Sequence, residues 1–326
     1  MKRIAVIVSV SESEASQVVL KSAQKIRALD YENLSARIVY VIDVTTEKDE
    51  RSTLLKKEGI EVFSRQRRGK KAGALNDALR LRYLADFKPD YVALFDVDSR
   101  PERNFIKACV HALENDPTAY IASSPRYISN PVNLVSRTIQ AEYHVLNFLL
   151  KESAFKQFNG LIGLLRADLL YQYKLNEDAI TEDADYATRI HAKGYKATLV
   201  TTTALYEQSP TSWKDLLNQR KRWYYGGLQL WRYWDEVKSS KNKKFILSWA
   251  LALTMTYGIL LLLPLVIAAP FILLYYSSNA SPKTSLAVSA GFVVYLLILQ
   301  YAALIALFNF ISGRGIEWQA MKRVAD

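Results

Sequence analysis

The chain has 326 residues, half of them hydrophobic, and 43 Lys and Arg against 32 Asp and Glu give a formal net charge of +11. Its one cysteine, Cys109, excludes a disulfide framework and agrees with a reducing compartment. The apolar run at residues 1–10 is too short for a secretory leader, and the length points to one large α/β unit with an appendage.

Residues 4–10 are a β-branched run that predicts a strand, followed by a helical pattern with Ala15, Val18, Val19, Ser22, Ile26 and Leu29 on one face. The order repeats with a strand at 38–42, a helix at 49–57, a strand at 61–63, a helix at 71–84 and a strand at 91–95 that runs into acidic residues. Such alternation predicts a mostly parallel sheet covered by helices, with ligands held beyond the carboxyl ends of the strands. Asp43, Asp96 and Asp98 stand at such ends. Further on come a long helix at 132–151, an acidic cluster at 181–185 that opens a helix to Lys193, and an aromatic, basic, helical segment at 213–234.

Two stretches then lack charge, residues 245–282 (38 residues) and 284–313 (30 residues), with Lys283 between them. A bilayer core of about 30 Å is crossed by about 20 apolar helical residues, so two transmembrane helices are expected, the first kinked at Pro264 and Pro270. Basic residues cluster before the first span, from Arg220 to Lys244, and Lys322 and Arg323 follow the second. By the positive-inside bias the chain is a multi-pass cell-membrane protein with residues 1–244 and the C-terminus cytoplasmic. The expected divisions are an α/β domain at 1–212, an amphipathic interfacial region at 213–244, two transmembrane helices at 245–313 and a cytoplasmic tail at 314–326. The basic balance is read as affinity for lipid headgroups. Nucleic-acid binding would leave the spans unexplained, so no nucleic-acid partner is expected.

Four segments carry chemistry. Asp96 and Asp98, one residue apart at a strand end, suit a hard cation that bridges diphosphate oxygens; the alternative is a turn that caps the helix after Pro101. Residues 68–79, RGKKAGALNDAL, put Lys70, Lys71 and loop amides at a helix start where a phosphate would be held, unless they form only a solvated basic loop. Thr181 is a candidate N-cap. Asp183 is a candidate general base for a hydroxyl acceptor, against the plainer reading that acidic residues complement the helix dipole. In QRKRW, Arg222 suits a departing diphosphate and Trp223 a sugar face, although an interfacial helix also carries such residues. His191 is read as an ordinary helix residue.

Taken in order, Asp43, KAGALN at 71–76, Asp96-Val97-Asp98, Thr181-Glu182-Asp183 and Gln219-x-x-Arg222-Trp223 resemble the membrane-bound family 2 inverting glycosyltransferases, in the branch with cellulose synthase and hyaluronan synthase. The resemblance implies a GT-A fold and a metal-dependent hexosyltransferase. It gives Asp43 a uracil contact, Lys71 a diphosphate contact, and Asp96 and Asp98 an Mg or Mn site. It makes Asp183 the base, places Gln219 and Arg222 around the diphosphate, and puts Trp223 and Gly160 at the acceptor. The family's Pro and Asn are absent from VSVSESE, and Val44 replaces a common second aspartate, which bears on the choice of uridine over guanosine. The expected reaction moves a sugar from a UDP-sugar to a lipid or lipid-linked acceptor at the cytoplasmic membrane face. Two spans provide no export channel, so polysaccharide synthesis would need a homo-oligomer; a non-catalytic membrane scaffold is the reading from outside enzymology.

Overall fold

The computed structural model describes residues 1–44, 49–66, 71–255, 257, 276 and 281–316. The first half runs β1 (Lys2–Val10), α1 (Ser16–Arg27), β2 (Leu34–Asp43), α2 (Glu50–Lys57), β3 (Glu61–Arg65), α3 (Lys71–Arg80), α4 (Arg82–Ala85), β4 (Tyr91–Asp96), β5 (Arg100–Pro101), α5 (Phe105–Asn115), β6 (Ala119–Ser123), β7 (Arg126–Ile128) and α6 (Leu134–Glu152). The second half runs β8 (Gly163–Arg166), α7 (Ala167–Tyr173), α8 (Glu182–Ala192), β9 (Lys196–Leu199), β10 (Leu205–Glu207), α9 (Trp213–Gln229), α10 (Trp234–Lys238), α11 (Lys243–Thr254) and α12 (Pro282–Ile311).

Successive side chains of a strand point to opposite faces, and in β1 both faces are buried: Ala5 and Ile7 enter one apolar layer, Ile4, Val6 and Val8 the other. The first layer packs on α3 and α8, the second on α1 and α5. This double burial explains the unbroken apolar run at residues 4–8.

Seven strands form one sheet in the order β3-β2-β1-β4-β8-β6-β9, and a small sheet β5-β10-β7 accompanies it. β1 pairs parallel with β2 and β4, but β8 runs antiparallel to both β4 and β6. Six of the seven strands therefore run the same way, as the alternation predicted, and only β8 is reversed; it is four residues long, too short to show a period. Strand order reverses at β1, which opens a crevice at the strand ends, where Ser9 pairs with Asp96 and Val10 with Ile42. The expected helix over 71–84 is two helices, because Leu81 turns to extended backbone and packs on the core.

The start of the first expected membrane span behaves differently from a span. In α11, Phe245 and Trp249 are fully buried in the α/β core, the Trp249 indole donating to Thr188 Oγ1 at 3.0 Å. Pro264, Pro270 and most of that span lie outside the described residues, as do Lys322 and Arg323. Among the described residues one helix, α12, is long and apolar enough to cross a membrane, so a pair is not seen. One face of α12, with Val288, Phe292, Tyr295 and Leu299, is buried, the last three joining Val135, Ile139 and Tyr143 of α6 and Leu216 of α9 in one apolar cluster. Leu286, Leu297, Leu304, Phe308 and Ile311 are exposed.

Candidate active site

Asp96 closes β4, and the chain turns at once, with the Asp96 amide donating to Ser99 Oγ at 3.1 Å and the Ser99 amide to the Asp96 carbonyl at 3.0 Å. The Asp98 carboxylate, only 7% exposed, accepts the Gln208 amide from the end of β10 at 3.3 Å. Lys71 begins α3 and donates both to Asp96 and to the Gly160 carbonyl, the latter at 2.9 Å. Burial would lower the Lys71 pKa, but Asp96, Glu182 and Asp183 outweigh it and hold the ammonium above its ordinary value.

Gly160 connects this corner to the opposite wall. Its carbonyl takes Lys71, and its amide donates to Asp183 Oδ2 at 2.6 Å. Its φ of +65° is a conformation that L side chains rarely adopt, and a Cβ here would lie 2.7 Å from Lys71 Nζ and 3.1 Å from Asp96 Oδ2. Residues 158–166, FNGLIGLLR, make a 3-10 turn at Asn159–Leu161 and then enter strand β8.

Asp183, in the first turn of α8, is 8% exposed and accepts the Ala184 amide at 2.8 Å through its other oxygen. Each carboxylate oxygen keeps a further acceptor position after these bonds. Burial, with Asp183 alongside, pushes the Glu182 carboxyl up to about 7, against the pull of Lys71 and Arg222. Thr181 makes no capping hydrogen bond, contrary to its N-cap reading: its side chain is pressed against Gly226 of α9, where a Cβ would come within 2.1 Å of Thr181 Oγ1. Asp185 is fully buried and takes Arg189 at 2.8 Å, Arg232 at 2.6 Å and the Tyr233 hydroxyl at 2.8 Å, so it fastens α8 to the turn after α9.

A single cavity of about 840 Å³ collects Asp43, Lys71, Asp96, Asp98, Gly160, Asp183, Gln219, Arg222 and Trp223. Lys70 lies outside the described residues. Nine carboxylate side chains line the cavity against three basic ones, Lys71, Arg126 and Arg222, so a diphosphate entering alone meets like charge. Asp96 and Asp98 offer hard oxygen donors that fit Mg or Mn. Among the described residues no third His, Cys, Asp or Glu joins them in a metal-sized cluster, so a cation here would depend on oxygen donors beyond these two side chains.

Two groups were not singled out in the sequence. Glu207 lines the cavity from the end of β10, accepts Arg126 Nη1 at 3.1 Å and the Tyr143 hydroxyl at 2.5 Å, and Arg126 Nη2 donates to the Asn159 carbonyl at 2.6 Å. Burial raises the Glu207 pKa; Arg126 and Tyr143 oppose that, and Asp98 and Asp96 add to it. Arg51 donates to the Ser11, Glu12 and Glu14 carbonyls at 2.7, 3.2 and 3.2 Å, which fixes the VSVSESE loop at the Asp43 end. A lone Glu after a strand and a lone Arg in a surface-type helix carry no local pattern that would mark them. His191 is a core residue: its ring stacks on Phe245, its Nδ1 pairs with the Ala187 carbonyl at 2.8 Å, and burial lowers its pKa to about 4.

A family model described as Glycosyl transferase family group 2 matches residues 91–309, and one described as Glycosyl transferase family 2 matches residues 6–172. Glucomannan 4-beta-mannosyltransferase 9 of Arabidopsis thaliana is 30% identical over 187 residues, 54% of this chain and 34% of that protein. Glucomannan 4-beta-mannosyltransferase 7 of the same plant is 28% identical over 211 residues, 60% and 38% respectively. The chain therefore spans little more than a third of the length of these curated relatives. The mannosyltransferase PcManGT from Pyrobaculum calidifontis, solved in complex with GDP-Man and Mn2+, superposes with a TM-score of 0.63 at 18% identity, over 95% of this chain and 88% of the other, a likeness of fold.

Proposed function

The chain belongs to glycosyltransferase family 2, and from that premise we propose that it moves a mannosyl residue, with inversion, from a nucleoside-diphosphate sugar to an acceptor hydroxyl at a membrane surface. The observation that carries the reading is Gly160, which joins Lys71 and Asp96 on one side to Asp183 on the other within one cavity.

In this reading Asp183 takes the acceptor's proton while the acceptor oxygen bonds to the anomeric carbon. The bond from that carbon to the diphosphate breaks, and the leaving diphosphate carries the electron pair toward Lys71, Arg222 and Gln219. A single displacement of this kind inverts the anomeric configuration. Trp223 offers its ring to a sugar face. Asp96 and Asp98 would hold Mg or Mn, which supplies neutralisation of the diphosphate charge when bound.

The mannosyl donor is supported by the names of the relatives and by the GDP-Man of the solved neighbour. A UDP-sugar, implied by the resemblance, is the second donor reading, with Asp43 in the cavity as its support. For the acceptor, α12 packed on α9 beside Trp223 favours a lipid or lipid-linked molecule. It also favours a membrane-anchored enzyme, and the basic residues from Arg220 to Lys244 favour the cytoplasmic face for the α/β unit and the 213–244 region. The glucomannan named in the relatives favours a growing glycan made by an oligomer.

The test is incubation of the purified chain with Mn2+ and a panel of radiolabelled GDP- and UDP-sugars, with lipid extract or manno-oligosaccharide, and sizing of the products. Labelled lipid from GDP-mannose is expected. Long lipid-free chains would replace the lipid acceptor by a glycan, and no turnover with any nucleotide sugar would overturn the proposal.

A further inference from the structure

QRKRW holds two arginines, and the structure gives them different surroundings. Arg222 lines the cavity, whereas Arg220 does not and is 4% exposed. Arg220 Nη2 donates to Glu142 Oε2 of α6 at 2.6 Å, an ion pair whose two side chains are 5% and 11% exposed. Its guanidinium carbon lies 4.2 Å from the centroid of the Trp223 ring, one turn along α9, and 5.8 Å from that of Tyr295 in α12.

A buried ion pair is weak evidence for stability, since desolvating two charges offsets most of their attraction. Geometry is a better account of this one. A guanidinium plane stacked on an indole fixes the ring's tilt, and the carboxylate fixes the guanidinium. Glu142 belongs to α6 and Tyr295 to α12, so the indole that lines the cavity is referenced to both neighbouring helices.

We propose that Arg220, clamped by Glu142, is a positioning residue that holds the Trp223 ring in the orientation that receives the acceptor, and so governs transfer without touching the donor. This rests on the glycosyltransferase reading only in that Trp223 serves the acceptor; the orientation of the ring is a separate physical claim.

The experiment uses the full chain with Arg220→Lys, which keeps a cation for Glu142 but lacks the planar stack, and Glu142→Gln, which keeps the shape and removes the anchoring charge. The emission of Trp223, taken as the difference from a Trp223→Phe protein, is expected to shift in both variants, while GDP binding with Mn2+ and the melting temperature of Arg220→Lys stay at wild-type values. With GDP-mannose and lipid extract, transfer is expected to fall by about 10- to 100-fold in Arg220→Lys while hydrolysis of the donor by water is retained, as for a misplaced acceptor group. Wild-type transfer or an unchanged Trp223 spectrum in Arg220→Lys would overturn the proposal. So would an equal loss of hydrolysis, transfer and nucleotide binding, which marks a merely structural pair. If the wild-type protein turns over no nucleotide sugar, the functional reading fails and the spectral comparison still decides this one.

Discussion

Asp183 has one carboxylate oxygen on the Gly160 amide and the other on its own helix turn, so its direction is set before any acceptor arrives. Asp183→Asn keeps the size of the side chain and removes the ability to take a proton, though its amide can accept from only one of these two N–H groups, so the melting temperature is measured beside it. Transfer is expected to drop by roughly 10²- to 10⁴-fold with nucleotide affinity unchanged, measured as single-turnover rate against nucleotide titration. Gly160→Ala tests the connection itself. A left-handed backbone costs an L-residue about 1–2 kcal/mol, and the new Cβ would press on the Lys71 ammonium and turn it from Asp96. A fall in kcat of at least about tenfold is expected; a fully active, equally stable Gly160→Ala protein would remove Gly160 from the account. Asp43, Lys71, Asp96, Asp98 and Asp183 were legible because each stands at a strand end or helix start, where local pattern and chemistry coincide. Glu207 and Arg126 were not, because the long-range pairing of β10 with β7 creates their neighbourhood. Arg222 was legible within QRKRW, but the role of Arg220 was not, since its partner Glu142 lies 78 residues away along the chain.

At the scale of elements, α11 is the instructive case. Its composition matches the start of a membrane span, yet Phe245 and Trp249 fill the α/β core while Leu247, Leu251 and Met255 are exposed. Hydropathy reports apolar content and is silent on which surface absorbs it. Trp249→Ala is expected to destabilise the domain by about 3–5 kcal/mol in denaturant unfolding, as for a large buried aromatic, whereas Leu247→Ala should have little effect. The same layer holds His191. Its pKa is lowered from 6.5 to about 4, so its contribution to stability is complete above pH 6.5 and is lost as pH falls toward 4, where the unfolded chain takes up the proton first. The loss amounts to about 3 kcal/mol at most. His191→Phe should flatten the acid limb of melting temperature against pH between 6.5 and 4; an unchanged limb would mean that the imidazole is not held neutral by the fold.

Across the whole molecule, the strand order that reverses at β1 gathers segments from residue 9 to residue 223 around one cavity, and α9 forms the wall that also meets α12. The alternation of strands and helices in the first hundred residues was enough to place that crevice. It was not enough to reveal β8, which runs against its neighbours, or the small sheet that brings Gln208 to Asp98. A negatively lined cavity that binds a diphosphate should do so only with a cation. The most direct measurement is nucleoside-diphosphate release from GDP-mannose by the wild-type chain, with Mn2+ and with chelator, beside Asp98→Ala. Release that requires Mn2+ and disappears in Asp98→Ala is the expected result; release that persists with chelator, or in Asp98→Ala, would contradict a metal-assisted diphosphate site at Asp96 and Asp98.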